Sequence, residues 1–136
     1  MATQIFVNVS VRDVTRTIDF FKKLGFSFNM QFTNDKAACM IINENAFFML
    51  LQEEFFRTFT NKSITDTKKS VEGIFAISAD SRARVDEMIR IANENGGSIV
   101  GEPKDHGWMY THSFEDLDGH IWEVLFIDAA AIPENL

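Results

Sequence analysis

One order of local signals runs through this chain twice, and it constrains the fold more than anything else in the sequence. Residues 5–13, IFVNVSVRD, alternate like a half-buried strand, with Ile5, Val7, Val9 and Val11 on one face and Phe6, Asn8 and Ser10 on the other. Asp13 is placed to cap a helix through DVTRTIDFFKKLG. Its Val14, Ile18, Phe21 and Leu24 form an apolar stripe, and Gly25 supplies a stop. Three strand patterns follow: FSFNMQF up to the turn Asn34-Asp35-Lys36, AACMII up to Asn43-Glu44-Asn45, and AFFMLL. Then the series restarts. EGIFAISAD reads as a strand, and SRARVDEMIRIANENGG as a helix with Val85, Met88, Ile89 and Ala92 inward. SIVGEP, WMYTHSFED and HIWEVLF read as three more strands. The likeness of IFVNVS at 5–10 to IFAISA at 74–79, each leading into a helix, points to an internal duplication. The expected fold is α+β: two βαβββ modules, about 1–52 and about 71–128, in a single domain spanning 1–136.

Residues 53–70, EEFFRTFTNKSITDTKKS, join the modules. Phe55, Phe56 and Phe59 share one face of a short helix, and the rest is polar. Two readings stay open: a helix that plugs one end of the core, or a lid over a ligand cavity.

Composition narrows the function classes. A net charge of −7 argues against nucleic acid, whose phosphates demand basic patches. No apolar run approaches the roughly 20 residues that span a bilayer, and the strand pattern at the start leaves no room for a signal peptide. The single cysteine, Cys39 in AACMII, allows no internal disulfide and reads as a buried thiol in a reducing cytoplasm. Fourteen Phe point to a thick aromatic core or an apolar cavity.

The most informative stretch is SFEDLDGHIWEVLF, residues 113–126. It reads as two strands folded on an Asp-Gly turn, with Asp116 and Asp118 serving the turn. Glu123 shares parity with Ile121, Leu125 and Ile127, so its carboxylate lies on an apolar surface, a costly place without a partner. A hairpin loop of two or four residues sets Glu123 beside His112 or Phe114, on one face with Trp108 and Tyr110. A three-residue loop with a bulge turns those four residues to the other face. His106 and His120 read as structural or exposed.

FEDLDGHIWE at 114–123, with VRDV at 11–14 and FFKKLGF at 20–26, resembles the vicinal oxygen chelate superfamily. That superfamily includes glyoxalase I, bleomycin-resistance proteins and extradiol dioxygenases. The resemblance implies a cupped mixed sheet with helices outside. In metal-dependent members it also implies a divalent cation held by four positions. Here those positions correspond to Phe6, Met49, Ile74 and Glu123, a set from which no metal site or cofactor is expected. A divalent metal stays open only through a relocated pair, His112 and Glu123. Glu123 is also the candidate catalytic acid or base. The expected ligand-lining set is Phe6, Asn8, Met49, Ile74, Trp108, Tyr110, His112, Phe114 and Glu123, an apolar cleft with few polar groups.

The resemblance leaves two functions. One is a protein that binds a small apolar or cationic molecule without a metal, as in the bleomycin-resistance branch. The other is a glyoxalase-type lyase or isomerase with relocated ligands. A homodimer is expected on the same grounds, since open sheet edges invite pairing.

Overall fold

Alternation of Val7, Val9 and Val11 with polar neighbours draws Ile5–Val11 into the first strand, β1, in a computed structural model that describes residues 2–135. The chain separates into two units, one ending at Thr65 and the other beginning at Asp66. In the first unit β1 is followed by α1 (Val14–Lys23), β2 (Ser27–Phe28), β3 (Ala37–Asn43), β4 (Ala46–Gln52) and α2 (Glu53–Phe56). Its sheet has the order β1-β4-β3-β2, with β1 parallel to β4 and the other pairs antiparallel. The second unit holds β5 (Ile74–Ser78), α3 (Arg82–Glu94), β6 (Ser98–Asp105), β7 (Met109–Glu115) and β8 (Ile121–Ile127). It repeats the plan as β5-β8-β7-β6, again with one parallel pair. This is the expected α+β pair of βαβββ modules.

Each helix is begun by a side chain. The Asp13 carboxylate accepts from the Arg16 amide at 3.1 Å, and the Ser81 hydroxyl accepts from the Arg84 amide at 3.0 Å. α1 turns Val14, Phe21 and Leu24 inward, and the sheet meets it with Val9, Val11, Phe48 and Leu50, all buried. α3 does the same with Val85, Met88, Ile89 and Ala92, against a face that buries Phe114, Trp122 and Val124 completely. Side chains of this size contribute about 1.5–3 kcal/mol each when fully buried.

Two strand expectations are corrected. FSFNMQF forms a strand only at Ser27–Phe28, because Met30–Phe32 winds into a 3-10 turn. The Asn29 side chain accepts from the Gln31 amide at 3.0 Å and starts that turn. SIVGEP, in contrast, extends through Asp105 across a bulge, with pairing interrupted between Val100 and Lys104. No helix among the described residues is long and apolar enough to cross a membrane.

Candidate functional site

The hairpin that carries Glu123 is set by its loop. The Asp116 amide donates to the His120 carbonyl at 3.0 Å and the Gly119 amide to the Asp116 carbonyl at 3.1 Å, leaving three residues, Leu117-Asp118-Gly119, at the tip. Gly119 has φ +81°, the left-handed backbone that this loop requires. A Cβ there would lie 2.5 Å from the Thr67 hydroxyl oxygen, which itself donates to the Asp118 carbonyl at 2.6 Å.

A three-residue loop puts Glu123 opposite Ser113, with Glu115 opposite Ile121 and Thr111 opposite Leu125. Across the parallel pair, Ala76 stands beside Glu123 and Ile74 beside Ile121. Glu123 is therefore on the face turned away from α3, among Ile74, Ile121 and Leu125. It is half-buried and takes neither a hydrogen bond nor an ion pair among the described residues.

This register separates Glu123 from residues expected beside it. Tyr110, His112 and Phe114 alternate onto the opposite face with Trp122 and Val124. The Tyr110 hydroxyl donates to Asp86 on α3 at 2.6 Å, and the Arg82 guanidinium lies 5.2 Å over its ring. The Asp86 bond, with burial, raises the phenol above its usual value. The His112 ring pairs through Nε2 with the Gly101 carbonyl at 2.9 Å, pinning the β6 bulge. Phe114 is wholly buried, and Trp108 precedes the first paired residue of β7. The pair His112 and Glu123 is thus not assembled. A one-residue difference in loop length inverts every side chain of a strand.

In the first unit the expected residues do gather. Phe6, Asn8 and Met49 share the sheet face turned away from α1, through the register Phe6↔Phe47 and Asn8↔Met49. Phe6 stacks on Phe47 with centroids 5.0 Å apart, and Phe6 is 47% exposed. Phe47 was not singled out in the sequence, although its parity with Met49 carries that information.

The hairpin also holds a buried polar network that the sequence did not show. Asp116 is buried and accepts through Oδ1 from the Asp118 and His120 amides at 2.9 and 3.1 Å, and through Oδ2 from the Trp122 indole at 3.0 Å. Burial raises its carboxyl above the usual aspartate range, against the pull of His120 and these donors. The His120 ring, also buried, meets Glu72 through Nδ1 at 2.5 Å. His120 is thus a buried member of this network rather than an exposed residue. Among the described residues no group of three or more His, Cys, Asp or Glu stands where it could hold a metal ion.

The profile of the Glyoxalase/Bleomycin resistance protein/Dioxygenase superfamily matches residues 4–124. The chain belongs to this superfamily. A hypothetical protein from S. aureus is 25% identical to this member, with a TM-score of 0.80 over 93% of this chain and 95% of that one. A glyoxalase/bleomycin resistance protein/dioxygenase family enzyme from Burkholderia phytofirmans is 14% identical, with a TM-score of 0.76 over 93% and 99% of the two chains. A glyoxalase-related enzyme from Fulvimarina pelagi is 15% identical, with a TM-score of 0.77 over 93% and 88%. Comparison with curated proteins gives no match.

The metal centre implied for the metal-dependent superfamily members does not fit the residues present. Phe6, Met49, Ile74 and Glu123 offer one carboxylate, one thioether and two hydrocarbon side chains. A divalent cation needs at least three nitrogen, oxygen or thiolate donors from the protein, or more oxygens.

Proposed function

We propose that this superfamily member binds a small organic molecule on a sheet face turned away from its helix, α1 in the first unit or α3 in the second, without the metal centre of the metal-dependent members. The observation that carries the reading is the replacement of the implied ligands by side chains suited to apolar contact. Phe6 stacked on Phe47, with Met49 alongside, gives the first unit a partly exposed apolar surface. Ile74, Ile121 and Leu125 do the same in the second, where Glu123 is an unpaired carboxylate. Apolar walls with a few fixed polar groups are the usual composition of small-molecule sites. A lyase with His112 and Glu123 as relocated ligands draws no support from the fold, since those side chains lie on opposite faces. A reducing, cytoplasmic setting completes the reading and rests on the single cysteine, Cys39, which is buried and whose thiol burial raises above its usual value.

The test is a ligand-observed NMR screen of apolar and cationic fragments against the full chain, repeated on Phe6→Ala and Glu123→Gln. The expected result is a set of fragments whose binding weakens in one or both variants while the melting temperature holds. An absence of binders, or binders indifferent to both substitutions, overturns the reading.

A further inference from the structure

We propose that the β7–β8 surface turned away from α3 is a seat for a primary ammonium group carried on an apolar body. The proposal rests on the reading that Glu123 faces a small-molecule ligand, and it names that ligand's chemistry. With Glu123 opposite Ser113 and Glu115 opposite Ile121, the two acids are diagonal neighbours on one face. Such neighbours stand about 7–8 Å apart, close enough to repel each other and to share one cation. Neither acid has a hydrogen bond or ion pair among the described residues. Lys104, across from Thr111 on β6, is exposed and ion-paired to neither.

A second, independent observation points the same way. Thr111 projects to this same face and is only 6% exposed, and its hydroxyl oxygen is buried with no hydrogen-bond partner. A buried hydroxyl left unpaired costs about 1–3 kcal/mol, and such groups persist where something else satisfies them. Ser113, the next residue of β7 on this face, stands between Thr111 and Glu115.

The groups select the ligand. Carboxylates and hydroxyls all accept hydrogen bonds, which suits the three N–H donors of a primary ammonium. A quaternary ammonium has no such donors and seeks aromatic faces, but Phe114 and Trp122 lie on the other side of the sheet. A dedicated Ca²⁺ site gathers more carboxylate and carbonyl oxygens than two acids supply, and among the described residues no third His, Cys, Asp or Glu joins them. Ile121 and Leu125, flanking Glu123 along β8, would pack against the apolar body.

The experiment titrates 2-phenylethylammonium, and separately the neutral 2-phenylethanol, into the full chain at pH 7 and low salt, followed by ¹H–¹⁵N NMR. The ammonium should bind about tenfold or more tightly than the alcohol, shifting the amides of β7 and β8, and Glu115→Gln should weaken it about tenfold. Thr111→Val should weaken it too, while leaving the melting temperature unchanged or higher because an unpaired buried hydroxyl is removed. Equal affinity for the two probes, or shifts with CaCl₂ but none with the ammonium, overturns the ammonium seat and leaves the small-molecule reading standing. A melting temperature lowered by Thr111→Val also counts against it, showing that the hydroxyl is already satisfied. If neither probe binds while other fragments do, only the ammonium seat falls; if no fragment binds, both fall.

Discussion

Asp116, in the loop that follows β7, and Glu123, in the middle of β8, meet opposite environments. Asp116 is sealed in and accepts three hydrogen bonds; Glu123 is half-exposed and accepts none. Asp116→Asn keeps the Oδ1 acceptor but turns an amide donor toward the Trp122 indole N–H. It should cost about 1–3 kcal/mol in urea unfolding. The pH dependence has a definite sign. Burial raises the folded-state value above the ordinary 3.8, so the folded form holds this proton more tightly than the unfolded chain does. The resulting stabilisation is complete below about pH 4 and is lost as pH rises through the raised value. The stability difference between wild type and Asp116→Asn should therefore narrow from pH 4 toward neutrality; a widening difference would mean that the folded state holds the Asp116 proton less tightly than the unfolded chain. Gly119→Ala and Gly107→Ala both force a left-handed alanine, at about 1–2 kcal/mol. Only at Gly119 does the new Cβ meet Thr67, so its cost should be greater by about 1 kcal/mol or more. Adding Thr67→Ala to Gly119→Ala should recover part of that excess in a double-mutant cycle.

At the scale of elements, loop length decides what a strand displays. The alternation of HIWEVLF was enough to place Glu123 with Ile121 and Leu125, because parity within one strand does not depend on its partner. The neighbours of Glu123 on β7 did depend on the partner. An Asp-Gly pair fits loops of several lengths, and the three-residue loop selects Thr111, Ser113 and Glu115 over His112 and Phe114. Deleting Leu117 would leave a two-residue tip that asks Glu123 to face α3, and circular dichroism should show a strongly destabilised or unfolded second unit. Helix starts were legible for a different reason, since a cap is a contact across three residues. Asp13→Ala and Ser81→Ala should each cost about 1 kcal/mol, measured by chemical unfolding. The missed turn at Met30–Phe32 shows the limit of the same logic. There the Asn29 side chain competes with the ladder and wins, against an alternation that reads as strand.

For the whole molecule, the repeated order of elements made the topology readable, and the same βαβββ plan recurs strand for strand in both units. The network of buried Asp116 and His120 with Glu72 was not readable, because it joins residues 48 positions apart through a loop whose path no local pattern specifies. We propose a homodimer as well. Within the sheet of its own unit β1 and β5 are each terminal strands, and Ile5 and Ile74 on them are well exposed. Sedimentation equilibrium should give about twice 15.5 kDa, and a particle of 15.5 kDa at micromolar concentration would contradict it. Binding without the superfamily's metal is tested by elemental analysis of protein purified without a metal-affinity tag and re-exposed to Zn, Ni, Mn and Fe, beside Glu123→Ala. Both proteins should hold far less than one metal per chain. One metal per chain in the wild type that disappears in Glu123→Ala would show instead that Glu123 is a metal ligand.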